Sequence, residues 1–177
     1  SELRPRHPHI VALEGRPANV EGAGAIDVRS LVRQALQMRP DRLVVGEVRG
    51  GDVVELLAAL NTGHEGGCGT LHANSAHDVP ARIEALSLAA GLGREAAHSQ
   101  LASALDVVLH LGRDHTGRHL AQVAVPTRDE RGLVEMSLAA ETRASPDAAS
   151  PGAGMRVVTE GPALDALLVL LASRLRS

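Results

Sequence analysis

The chain has 177 residues but no lysine, and no phenylalanine, tyrosine or tryptophan; its 18 basic residues are all arginine. Single-stranded nucleic acid is commonly held by stacking bases on aromatic rings, so only arginine or histidine remains for that purpose. The single cysteine, Cys68, excludes an internal disulfide. With no cationic, apolar leader at Ser1, a reducing cytoplasm is the expected compartment. The longest apolar stretch, Ala163 to Ala172, is interrupted by Asp165 and falls far short of the roughly 20 residues of a membrane span, so no direct membrane insertion is expected. A net charge of −3 supplies no global positive field, and no nucleic-acid partner is expected.

What is present suits one α/β unit, with 44% of residues apolar. Residues 9–13, HIVAL, predict a short strand, followed by the turn-rich RPANVEGAGA at 16–25. Asp27 stands as a helix cap, and Val28, Leu31, Val32, Ala35 and Leu36 share one face until Pro40. RLVVGEV at 42–48 predicts a buried parallel strand, and a helix with Val53, Leu56, Leu57 and Leu60 on its face runs toward a Gly63 cap. GCGTLHA at 67–73 predicts the next strand, and Ser75 a cap for a helix over 76–90.

A helix over 94–104 follows, then a hairpin of strands 106–113 and 119–125, and a further strand within 132–140. TRASPDAASPGAG at 142–154 has no periodic apolar face and predicts a linker, before a terminal helix at 162–175. The expected division is therefore 1–140 as the α/β unit, 141–160 as linker or loop, and 161–177 as terminal helix. The strand and helix alternation predicts a mainly parallel sheet with helices on its faces.

The strongest chemical feature is RPDRLVVGEVRG at 39–50, which delivers Glu47 to the C-terminal end of a buried strand. Open α/β sheets bind ligands at that end. A carboxylate fixed there can orient a water or hold Mg²⁺ through its water shell; equally, it can end a strand and pair with Arg49 or Arg42. Downstream, TGHEGGCGTLHANSAHD at 62–78 places His64 and His72 around the second strand. His7 with His9, His72 with His77, and His115 with His119 lack the spacing of a metal site, and no direct metal ligation is expected. Cys68 is expected to fill a small buried space, Asp41 to turn the chain, and Arg16 to be solvated.

From about Glu2 to Val125 the text resembles the secretion traffic ATPases of type II and type IV secretion, most closely the Tad/Flp pilus assembly branch. ELRPRHPHIVALEGRPANVEGAGAIDVRSLVRQALQMRPDRLVVGEVRG is similar to the stretch from the tail of the Asp box, without that box's central acidic residues, to the Walker B segment, and GHEGGCGTLHANS to the His box. The resemblance implies a RecA-like P-loop NTPase motor domain, incomplete at its N-terminus. It assigns Glu47 the Walker B glutamate's place at Mg²⁺ and the attacking water, and His72 a catalytic place near the γ-phosphate. Arg49, His64 and Glu2 fall in the nucleotide region by the same likeness. ATP and Mg²⁺ are the implied cofactors. A homohexamer docked on inner-membrane platform proteins from the cytoplasmic side is the implied assembly.

One motif departs from that family. The Walker A loop, G-x-x-x-x-G-K-[ST], needs a lysine, and this sequence has none. In the family the loop precedes the Asp box, so the resemblance puts it ahead of Ser1 and implies that the chain is inactive alone. The alternative function is a non-catalytic module docking on full-length motor subunits or on the secretion platform. A nucleic-acid motor fits neither the acidic balance nor the missing aromatics.

Overall fold

A computed structural model describes residues 7–63, 66–114, 117–144 and 155–174. Helix α1 (Val28–Gln37) begins where the Asp27 carboxylate accepts the Ser30 N–H at 2.7 Å, the capping expected from sequence. Strand β1 (Val44–Val45) leads through α2 (Asp52–Leu60) to β2 (Cys68–Gly69), and the two strands pair in parallel. Their contact runs past the ladder: the Cys68 N–H donates to the Leu43 carbonyl at 2.9 Å and the Val48 N–H to the Thr70 carbonyl at 2.8 Å. Helices α3 (Val79–Ala89) and α4 (Arg94–Ala104) follow, with Pro80 accepted in the first turn of α3.

The chain then turns antiparallel through β3 (Val108–Asp114), β4 (Gly117–Arg128), β5 (Val134–Ala144) and β6 (Met155–Glu160), adjacent in that order. The β4–β5 turn is built by Asp129, whose Oδ1 accepts the Arg131 N–H at 2.9 Å and the Leu133 N–H at 2.8 Å. Helix α5 (Leu164–Arg174) returns across this sheet. At the corner before α5, a Cβ on Gly161 would collide with the Leu138 carbonyl, so the close approach of the two backbones requires glycine.

One core joins both halves. Val32 of α1, Val45 of β1, Val53 and Leu57 of α2, Ile83 of α3 and Leu101 of α4 are buried together with Ala124, Val134 and Met136 of the antiparallel sheet. On the opposite side, Val125, Ala139 and Ala163 form a small second cluster beneath Leu167 of α5. The ring of His98 ties the first core together: its Nδ1 accepts the Val134 N–H at 2.8 Å, and its Nε2 lies 2.9 Å from Glu84.

The α/β class follows the sequence, with differences in the layout. The parallel part consists of β1 and β2 among the described residues, and the larger sheet is antiparallel. β1 and β2, the parallel neighbours, are joined by a crossover through α2, whereas the short connections between β3, β4 and β5 allow only antiparallel neighbours. HIVAL at 9–13 forms no strand and lies exposed. The expected linker is shortened from both ends, because β5 runs to Ala144 and β6 occupies 155–160, where VVT at 157–159 supplies β-branched residues; 145–154 lies outside the described residues. Ser75 does not cap α3: its Oγ donates to Asp78 Oδ2 at 2.8 Å, and Asp78 occupies the cap position. Cys68 is exposed rather than packed, since no described residue covers the outer side of β2.

Candidate functional site

Glu47 sits two residues beyond β1, at the C-terminal end of the parallel pair. That end is held rigid on both strands. The Val48 N–H reaches the Thr70 carbonyl, and the Thr70 hydroxyl donates back to the Gly46 carbonyl, bracketing Glu47 on either side. Gly69 permits this closeness: a Cβ there would stand 2.8 Å from Leu56 Cδ2 and 3.5 Å from Val48 Cγ2.

Three of the residues singled out from sequence meet at this point. The Glu47 carboxylate receives Arg49 Nη2 on Oε2 at 2.6 Å and faces His72 Nε2 from Oε1 at 3.0 Å. Both carboxylate oxygens are therefore engaged. The Arg49 hydrogen bond is the main cause that holds the Glu47 carboxyl below its ordinary range; partial burial acts against it, and the Arg49 charge and the His72 ring add to the lowering. The side chain of Glu47 is 32% exposed, that of His72 89%, so the imidazole rims the site while the carboxylate sits at its base.

The cluster opens into a concavity of about 300 Å³ whose walls include Leu71, Leu86 and Arg82. Arg82, in the first turns of α3, was not singled out from sequence. Its sequence neighbourhood reads as an ordinary helix start, and only the packing of α3 beside Glu47 reveals it. His64 and Glu2 lie outside the described residues. His7 and His9 bond to one another through Nδ1 and a backbone N–H at 3.1 Å, and His77 lies exposed before α3, while His115 lies outside the described residues. Among the described residues no group of three His, Cys, Asp or Glu side chains is placed to hold a metal ion. Arg16 is tied by its Nε to the Gly24 carbonyl at 3.1 Å, bracing the 16–26 loop. No helix of the described residues is long and apolar enough to cross a membrane.

Arrangement and fold together define an α/β protein with one fixed carboxylate at the end of a parallel strand, partnered by an arginine and a histidine. The chain belongs to the Type II/IV secretion system protein family, whose description matches residues 2–149. It is 63% identical over 136 residues to a putative conjugal transfer protein of Mycobacterium tuberculosis, a match covering 76% of this chain and 38% of that relative. A probable conjugal transfer protein TrbB of Sinorhizobium fredii is 34% identical over 111 residues, covering 63% of this chain and 34% of the relative. Among solved structures, the VirB11 ATPase of the Brucella suis type IV secretion system, in complex with sulphate, superposes with a TM-score of 0.52 at 28% identity. That superposition covers 56% of this chain and 32% of the other. The chain thus spans between about a third and two-fifths of the length of these two conjugal transfer relatives.

Proposed function

We propose that Glu47 and His72 form the water-activating side of an ATP-hydrolysis site in a secretion motor. The observation that carries it is the convergence of Glu47, Arg49 and His72 at the end of the parallel pair. Bound ATP with Mg²⁺ would supply the phosphoryl group and the charge that polarises it. Glu47, kept ionised by Arg49, accepts a hydrogen bond from a water and fixes its direction, or holds a water of the metal's shell. His72 brings a polar ring nitrogen to the mouth of the same concavity, where it can contact the terminal phosphate. The residues present fit this side of a nucleotide site. They do not supply the phosphate-cradling lysine, because these 177 residues contain none.

The reading extends to a homohexamer that drives pilus assembly or protein secretion from the cytoplasmic side of inner-membrane platform proteins. The motif text favours the Tad/Flp branch, and the names of the similar proteins point to conjugal transfer and type IV secretion. Its test is complementation. The 177-residue chain alone should hydrolyse no ATP above background, while mixing it with the part of its Mycobacterium tuberculosis relative that the match leaves uncovered should restore turnover. In that mixture Glu47→Gln should lower turnover by about 10²-fold or more. Turnover untouched by Glu47→Gln would sink the role of Glu47, and Glu47-dependent turnover by the chain alone would sink the divided site.

A second reading, a docking module without catalysis, is favoured by Val44. This residue of β1 is 51% exposed although Val45 beside it is buried, so among the described residues one face of the parallel pair is uncovered. On that reading the mixture assembles but gains no turnover.

A further inference from the structure

His72 lies in a five-residue span, 71–75, pinned at both ends. Upstream, Thr70 is bound to β1 through its carbonyl and its hydroxyl. Downstream, the buried Ala76 gives its backbone N–H to Oε1 of Gln122 at 2.9 Å, across to the middle of β4. Gln122 is itself supported: its Nε2 donates to Glu141 Oε1 on β5 at 3.3 Å, and Glu141 lies directly opposite it in the sheet. The side chain is part-buried, and its two ends perform different tasks, the carbonyl holding the span and the amide holding the sheet.

We infer that Gln122 is a positioning residue for His72, through which the antiparallel sheet sets where the imidazole stands against Glu47. The inference rests on the proposal that Glu47 and His72 form one site. Among the described residues no other hydrogen bond fastens the far end of the span to the sheet in the same way: Ser75 turns forward to Asp78, within the approach to α3. The exposed ring of His72 meets Glu47 with little packing to hold it, so its position depends on the backbone that carries it. A shift of β4 against the parallel pair would therefore reach His72 through one amide.

The test reads placement, separately from turnover. In the 177-residue chain, His72 ring resonances and the titration of the Glu47 side-chain carboxyl carbon are followed by NMR. Gln122→Met, close in shape but without either hydrogen bond, should displace the His72 ring signals and move the Glu47 midpoint up toward its ordinary value. Glu141→Ala keeps the Ala76 bond and removes the support, so it should give a smaller displacement in the same direction; it also serves if Gln122→Met fails to fold. The exchange Gln122→Glu with Glu141→Gln reverses donor and acceptor between the two positions while leaving an acceptor for Ala76, and should restore both signals. Thr127→Val, which removes another β4 side-chain bond, to the Glu135 carbonyl at 3.5 Å, should leave them unmoved.

Signals unchanged in both Gln122→Met and Glu141→Ala, or an exchanged pair as displaced as Gln122→Met, would overturn the inference. Loss of turnover on Glu47→Gln in the complemented mixture is a separate outcome, so the failure of the site and the failure of the positioning role are distinguishable.

Discussion

His98 donates its Nε2–H to Glu84 at 2.9 Å because its Nδ1 is already occupied by the Val134 N–H at 2.8 Å. One ring thus fixes its own tautomer and joins α4, α3 and β5 within the core. His98→Ala leaves a buried backbone donor without a partner and opens a void, so it should cost at least about 1–3 kcal/mol of stability. Urea denaturation of the variant checks this, and an unchanged midpoint would contradict it.

Stability should fall in acid through three carboxyls. Hydrogen bonds from Arg29 to Glu55, Arg49 to Glu47 and His98 to Glu84 are the leading causes that hold each below its ordinary 4.5. Such groups add stability that is present at and above pH about 4.5 and lost as the pH drops through their lowered values. Denaturation midpoints from pH 7 down to pH 3 should decline, and Glu55→Gln should flatten the decline, since that carboxylate joins both Arg29 and Arg33 of α1 to α2.

Gly69 should not tolerate a side chain. An added methyl would stand 2.8 Å from Leu56 Cδ2, so that buried side chain must shift, and Gly69→Ala should cost roughly 1–3 kcal/mol, with Gly69→Val worse. A displacement of β2 at residue 69 would pass to Thr70, whose carbonyl and hydroxyl bind β1, so the His72 ring signals should move as well. A Gly69→Ala variant with wild-type stability and unmoved His72 signals would show that β2 has slack there.

In solution the 177-residue chain should behave as a monomer, since the resemblance builds hexamers between one subunit's N-terminal domain and its neighbour's motor domain. Multi-angle light scattering measures this directly. A stable hexamer would place the assembling surfaces within this chain.

Helix α4 follows its expected bounds, and α1 and α2 follow their apolar spacing, because a stripe at helical period is a local property. The meeting of Glu47, Arg49 and His72 was legible only through the likeness of two motifs; no local spacing places residue 72 beside residue 47. Gln122 carried no signal at all, since a lone glutamine within an alternating strand is ordinary solvent-facing text, and its value appears only when β4 packs against the span after His72. Strand β6 was hidden for another reason: strands are defined by their neighbours, and MRVVTE follows a Pro- and Gly-rich stretch that reads as loop.

The double engagement of the Glu47 carboxylate leaves acceptor capacity on both oxygens, since each holds one partner and keeps a further lone pair. A water arriving from the concavity can therefore be accepted beside Arg49 and His72, with neither displaced. The two partners then act as a fixed frame that limits the directions from which a newcomer can reach the acid.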